Sequence, residues 1–472
     1  MNAFKKMFQP IDLTKNKPYK VMLAFALPVF LSLLLSNAFS LINSLVLKVT
    51  VGGNAVTSIS ATGSISVILF NFAYGCSNGF SVISANKRGE HNENAIKKIF
   101  INALFLVFLI GIIITIIGLI FYKDLIAFLK VDAIYVDMAE QYYHLILLMF
   151  VFMLLSNYLS HFLRSMGDSI FPLFISIITT ISNIAFAFLL TGVIKLNTRG
   201  VAIATALSNV VNVVISFIYI FKKYSFVKFG FKEIKLETNI IKDLLKMGLP
   251  LGFQWSILFI GSFIQSRTIN GFGRFATKAV SCYAPIETYL TIPFSSLSTT
   301  TLAFISQNYG ANNKTRIRQG IKTSLTIVLI AYLIVGIAGF SIYKYTPYIF
   351  LPKEDVNDEV IYFTATYLKM LIPCLILQGC LTSFRSTLLG IKKPLIPLIS
   401  GVGELLARIS ICLFLPGIID VSNPISHKAY LGICFATPSA WLVSFLIMGI
   451  SVIYFIFIKK EQVTRLAQDV NN

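Results

Sequence analysis

Charge is what this chain has least of. Asp, Glu, Lys and Arg together make up 13% of its 472 residues, and only 20 are acidic; soluble domains carry about a quarter. Histidine is also scarce, with four residues, and His144 and His161 share no metal-ligand spacing. The six cysteines (Cys76, Cys282, Cys374, Cys380, Cys412, Cys434) form no CxxC and lie in apolar stretches. They read as small buried side chains, so neither a disulfide frame nor a metal site is expected. No GxxxxGK[ST] occurs, which excludes ATP use through a Walker loop. No HExxH and no GxSxG with triad partners occurs either, so the chain is expected not to be an enzyme.

What is present is apolar. Hydrophobic residues form 56% of the chain, 41 of them Phe, and the mean hydropathy is +0.78. Runs of 18 or more apolar residues recur along its length, each able to cross a bilayer core of about 30 Å. Twelve spans are expected, at 21–47, 55–84, 96–121, 136–163, 169–191, 200–221, 241–270, 277–306, 321–343, 360–388, 394–416 and 429–458. Prolines fall inside several of them (Pro28, Pro250, Pro293, Pro373, Pro438), where each removes a backbone donor and bends a helix.

The net charge of +20 is distributed by side rather than by patch. With the N-terminus inside, 27 of the 40 Lys and Arg fall in inner segments, 10 in outer ones, and Arg267, Lys369 and Arg408 within spans. That bias predicts both termini in the cytoplasm of an inner or plasma membrane protein. The basic residues meet anionic lipid, not nucleic acid.

The chain is written twice. Leu27-Pro28 returns as Leu249-Pro250, Gly89 as Gly310, Arg164 as Arg385 and Pro172 as Pro394, at a nearly constant offset in numbering. GVAIAT (200–205) returns as GICFAT (432–437), at a wider offset, after a longer loop. Two such halves with an even number of spans are parallel repeats, a secondary-transporter arrangement with its site between them. The expected organisation is an N-terminal lobe (1–221), a basic linker (222–240), a C-terminal lobe (241–458) and a tail (459–472).

Ionisable groups at membrane depth are functional candidates by default. At about 1.5 Å per residue, Glu404, Glu287 and Lys369 all fall near the midplane, and Arg408 lies one turn beyond Glu404. A carboxyl in low-dielectric surroundings takes up a proton more readily than in water, and it can equally hold Na+ or an organic cation. The competing structural reading pairs Glu404 with Arg408 along one helix, and Glu287 with Lys369 or Arg267. The first lobe has no acid at that depth, only amides and hydroxyls such as Asn43, Asn183 and Thr205. These either bind substrate or join helices.

SQNYGANNKTRIRQG (306–320), LRSMGDSIFP (163–172), GVAIAT (200–205), GLPLGFQ (248–254) and SGVGELLARI (400–409) resemble the multidrug and toxic compound extrusion (MATE) family, in its bacterial branch, over nearly the whole chain. The resemblance implies an all-α polytopic membrane protein, with twelve transmembrane helices in two parallel six-helix lobes around a V-shaped cleft. It implies export of organic cations or amphipathic compounds in exchange for H+ or Na+; a monomer with no other cofactor is expected. Arg164, Gly167, Asp168, Pro172, Gln307, Asn308 and Gly310 are the motif residues it marks as structural, and Gln254 joins Glu287, Glu404, Arg408 and Lys369 as a second-lobe site residue. Many members carry an Asp in the first helix, within a stretch like VDSIVVG; here INSLVLK puts Asn43 there, followed by Lys48. Some place an acid one turn after the Asn of the fifth helix; here Asn183 is followed by Ala187. Coupling is therefore expected at Glu287 and Glu404. Two alternatives stay open: a lipid-linked glycan flippase-like carrier, and a non-coupled or non-transporting sensor or scaffold.

Overall fold

The structure, a computed structural model, describes residues 9–128 and 133–458. The expected tail at 459–472 lies outside the described residues. Among the described residues the chain is helical and has no strand. The helices are α1 (Pro18–Thr50), α2 (Gly53–Gly89), α3 (Glu93–Phe128), α4 (Ala133–Leu148), α5 (Phe150–Ser165), α6 (Ile170–Ala187), α7 (Asn197–Lys223), α8 (Thr238–Asn270), α9 (Arg274–Gly310), α10 (Lys314–Ile342), the short α11 (Thr346–Phe350), α12 (Asp358–Gly390), α13 (Leu395–Ile419), α14 (His427–Cys434) and α15 (Ala436–Ile453). A bilayer forces this outcome, because a helix satisfies every backbone polar group within its own segment.

All twelve expected helices are present, and among the described residues ten spans are long and apolar enough to cross a membrane. An eleventh, expected at 136–163, is broken into α4 and α5, bent by 52° around Met149. The cause is visible: Thr115 of α3 donates its hydroxyl to the Leu147 carbonyl at 2.9 Å, a side chain entering the backbone ladder. On the same face of α3, a Cβ on Gly118 would stand 2.5 Å from Leu147 Cδ2, so glycine admits the bend. The twelfth, expected at 277–306, is the 37-residue α9. Its hydroxyls (Ser295, Ser296, Ser298, Thr299, Thr300, Thr301) keep it from reading as apolar. Pro438 is not a mid-helix proline as expected. The chain breaks at Phe435, and Pro438 sits in the first turn of α15, where no N–H is needed.

Contacts divide the chain into two compact units. The first holds Leu23–Gly252 with the residues up to Lys15 and Ser306–Asn312. Its basic connection between α7 and α8 is tied to α3. Asn102 donates to the Lys235 carbonyl at 3.2 Å and accepts from Glu237 N at 2.9 Å, while Lys97 pairs with Glu233 at 3.0 Å.

The second unit holds Phe253–Ile305 and the chain from Asn313, with Asn16–Met22. Its helices are joined by hydroxyls. Ser324 of α10 meets Thr301 of α9 at 2.7 Å and Ser383 of α12 at 2.6 Å. Ser298 meets Ser386 at 2.8 Å, and Ser400 meets Ser444 at 2.6 Å. Such bonds contribute roughly 0.6 kcal/mol each in a membrane. Their larger effect is to fix which faces meet.

Candidate functional site

The motif residues of the first unit build turns and crossings. After α5 the chain reverses at Gly167, with φ +89. Its carbonyl accepts from Ile11 N at 2.9 Å, and a Cβ there would collide with the Ile11 oxygen. Asp168 then caps α6, accepting from Phe171 N at 3.0 Å and from the Tyr219 hydroxyl at 2.6 Å. Burial pushes the Asp168 carboxyl up from its ordinary range, against those two hydrogen bonds. Pro172 follows in the first turn of α6, where its missing donor costs nothing. Gln307 donates to the Ser165 carbonyl at 2.9 Å and accepts from Leu13 N at 3.3 Å. Asn308 donates to the Leu13 carbonyl at 3.1 Å.

The repeat glycines meet each other's helices. A Cβ on Gly89 would overlap the Gln307 backbone oxygen, and one on Gly310 would overlap the Asn86 backbone oxygen. Two backbones thus cross at related points, where no other residue fits.

The first unit's polar residues form a neutral group. Asn183 of α6 is fully buried, with its amide nitrogen 3.4 Å from both Thr205 Oγ1 and Ser208 Oγ of α7. Among the described residues its Oδ1 has no partner, and neither has Asn43 Oδ1. Ile42 and Val46, near Asn43 on α1, pack with Ala187 and Ala204. Lys48 is exposed in the last turn of α1. Arg164 is buried, and its Nε has no partner among the described residues.

The second unit carries the charge. Glu404 does not pair with Arg408, as the spacing along α13 suggested. Its ion partner is Arg385 of α12, with Nη2 to Oε1 at 2.9 Å and both side chains under a tenth exposed. Trp255 covers the guanidinium, its ring 5.9 Å from Arg385 Cζ, within cation–π range. Gln254, beside Trp255, is buried and packs on Gly401, one turn before Glu404; neither of its amide atoms has a partner among the described residues.

Glu287 of α9 pairs with neither Lys369 nor Arg267, both of which are exposed. It is partly buried, and Oε2 accepts from the Tyr367 hydroxyl of α12 at 2.9 Å. Tyr367 stacks on Tyr283 with ring centroids 3.8 Å apart and touches Thr437 Oγ1 of α15 at 3.3 Å. Thr437 donates to Gln265 Oε1 of α8 at 3.0 Å. Arg408 Nη1 donates to the same oxygen at 3.2 Å and to Ser262 Oγ at 3.0 Å. Five residues from five helices therefore form one polar chain, from the Glu287 carboxylate to the Arg408 guanidinium.

Sequence reasoning missed Tyr367, Gln265 and Thr437, since neutral residues raise no alarm in an apolar chain. The repeat could have found Gln265 and Thr437, though not Tyr367, which answers the apolar Leu145–Ile146 of the first copy. At the offset that relates the two copies, Gln265 answers Asn43, Arg408 answers Ala187, and Thr437 answers Thr205 at the wider offset of its own segment. Glu404 likewise answers Asn183, as Arg385 answers Arg164. The two polar groups occupy corresponding places in the two copies. One is neutral and the other is charged.

A duplicated helical chain with twelve membrane helices and a buried polar group in each half has the build of a multi-span membrane transporter. The MatE family profile matches residues 28–189 and 250–414, well over half the chain, and the chain belongs to that family of transporters. It is 26% identical over 468 residues to a probable multidrug resistance protein YoeA of Bacillus subtilis (strain 168), covering 96% of this chain and 97% of that one. It is 21% identical over 369 residues to the multidrug export protein MepA of Staphylococcus aureus (strain MSSA476), covering 77% and 80% of the two chains. A crystal structure of MATE in complex with MaL6 superposes with a TM-score of 0.84 at 18% identity, over 93% of this chain and 97% of that one, so the fold is shared.

Proposed function

We propose that the chain is a secondary antiporter that exports organic cations or drug-like amphipathic compounds in exchange for H+ or Na+, by alternating access. It acts as a monomer in the cell membrane, with both termini in the cytoplasm. One observation carries this reading: Glu287 is a partly buried carboxylate that makes no ion pair among the described residues, and its Oε1 accepts from none of them. Such a group can hold a proton, a sodium ion or a cationic substrate in turn, and competition for it is the chemistry of exchange. Glu404 differs. Its charge is already matched by Arg385, so its part is to neutralise a buried guanidinium while Glu287 does the coupling.

The test is transport in proteoliposomes. Export of the cationic dye ethidium is measured under an imposed pH gradient, then under an imposed Na+ gradient, with wild type and Glu287→Gln. One gradient is expected to accelerate wild-type export at least about tenfold, and Glu287→Gln to fall to the ungradiented rate. Full coupling in Glu287→Gln would remove the carboxylate from the mechanism. Indifference of the wild type to both gradients would favour an uncoupled carrier or a non-transporting protein.

A further inference from the structure

The second unit buries two arginines and treats them differently. Arg385 faces Glu404. Arg408, also under a tenth exposed, donates among the described residues only to the neutral oxygens of Ser262 and Gln265. Among the described residues no carboxylate pairs with it. A lysine can escape burial by shedding its proton, but a guanidinium keeps its charge and must be neutralised. Glu404, the partner that helix spacing offers, is already taken. Glu287 makes no contact with it; the two charges act on each other only across a distance, with Thr437 and Tyr367 between them.

The surroundings of Arg408 are rich in donors. Gln265 Oε1 receives both Arg408 and Thr437, which fixes the orientation of that amide and leaves its NH2 to donate. Arg408 Nε and Nη2 have no acceptor among the described residues, yet they are not among the sealed, unpartnered atoms. The same holds for Gln265 Nε2, so none of the three donors is fully sealed. Gly261 gives the guanidinium room: a Cβ there would stand 3.3 Å from Arg408 Cδ and 3.6 Å from Nε. The corresponding place in the first copy holds Asn43 and Ala187 and carries no charge.

We infer that Arg408 and the Gln265 amide form an anion site, taking a halide or the carboxylate of a bound molecule. The site requires no transport activity, and its test is independent of the antiport reading.

Thermal unfolding of the full chain in nanodiscs is followed while sodium chloride replaces sodium methanesulfonate at constant Na+ and ionic strength, and in a second arm while sodium benzoate replaces it. A saturable rise in melting temperature is expected in at least one arm. A rise with chloride identifies a halide site, and a rise with benzoate alone identifies a carboxylate site. Arg408→Gln should abolish it. Because that variant can fail to fold, Gln265→Glu is the second test: it sets a carboxylate of the chain's own against Arg408. It should fold without added anion and weaken the anion response at least about tenfold. No response in either arm, or an undiminished response in Gln265→Glu, would overturn the assignment. Crystals soaked in bromide should show an anomalous peak beside Arg408, and a peak elsewhere only would count against it.

Discussion

Glu404→Gln removes the carboxylate that faces Arg385 and leaves a buried guanidinium with a neutral amide. Both side chains are under a tenth exposed, and they meet at 2.9 Å, so solvent does little to screen either charge. Removing one partner of such a pair costs about 3–5 kcal/mol, whereas replacing both by apolar residues of similar volume is often near neutral. The double variant Arg385→Met/Glu404→Leu should therefore be more stable than Glu404→Gln alone. The coupling in the cycle closed by the singles Arg385→Met and Glu404→Leu should be at least about 2 kcal/mol, large for two residues in contact. Unfolding of the purified variants in nanodiscs measures this, and Trp255, 5.9 Å from the guanidinium carbon, supplies a local fluorescence signal. Equal stability of Glu404→Gln and wild type, or a double variant worse than the sum of the singles, would refute the argument. The same proteins separate folding from coupling. If Glu287 carries the exchange, the double variant should retain gradient-driven export per folded molecule.

Gly89→Ala and Gly310→Ala each drive a methyl into a backbone oxygen of the facing helix, so either should abolish folded protein in a detergent-solubilised size-exclusion assay. Gly167→Ala adds a left-handed backbone to a similar collision and should be as damaging, by about 3 kcal/mol or more. Asp168 gives a pH signature. Its folded value is raised above the ordinary 3.8 by burial, so the folded state binds the extra proton. Its favourable contribution is full below the unfolded value and lost as pH rises through the folded one. Wild type should lose stability relative to Asp168→Asn across that window, and parallel pH–stability curves would contradict the assignment.

The membrane helices were legible because lipid demands long apolar segments, and α9 was placed among them although its hydroxyls lower its hydropathy. The bend at Met149 was not legible, since it depends on Thr115 reaching from another helix. Glu404 and Arg408 were visible as anomalies, but their pairing was misread because spacing along one helix says nothing of Arg385 across from it. Arg385 itself, near the end of α12, read as part of a basic loop. Tyr367, Gln265 and Thr437 carry no charge to betray them, and comparison between the two copies marks the places of Gln265 and Thr437 alone.

The crossing of Gly89 and Gly310 also bears on where the gene can lengthen. Each copy must present its glycine in register with the other, and the offset between copies is held almost constant from Leu27 and its counterpart as far as Arg408. It relaxes only at Thr437, past the turn built on Asp420, where Val421 is 85% exposed. An epitope inserted after Val421 should leave the chain folded and expressed, whereas one inserted within 172–183 should not. The loop between α13 and α14 is thus the natural port for a tag or a reporter.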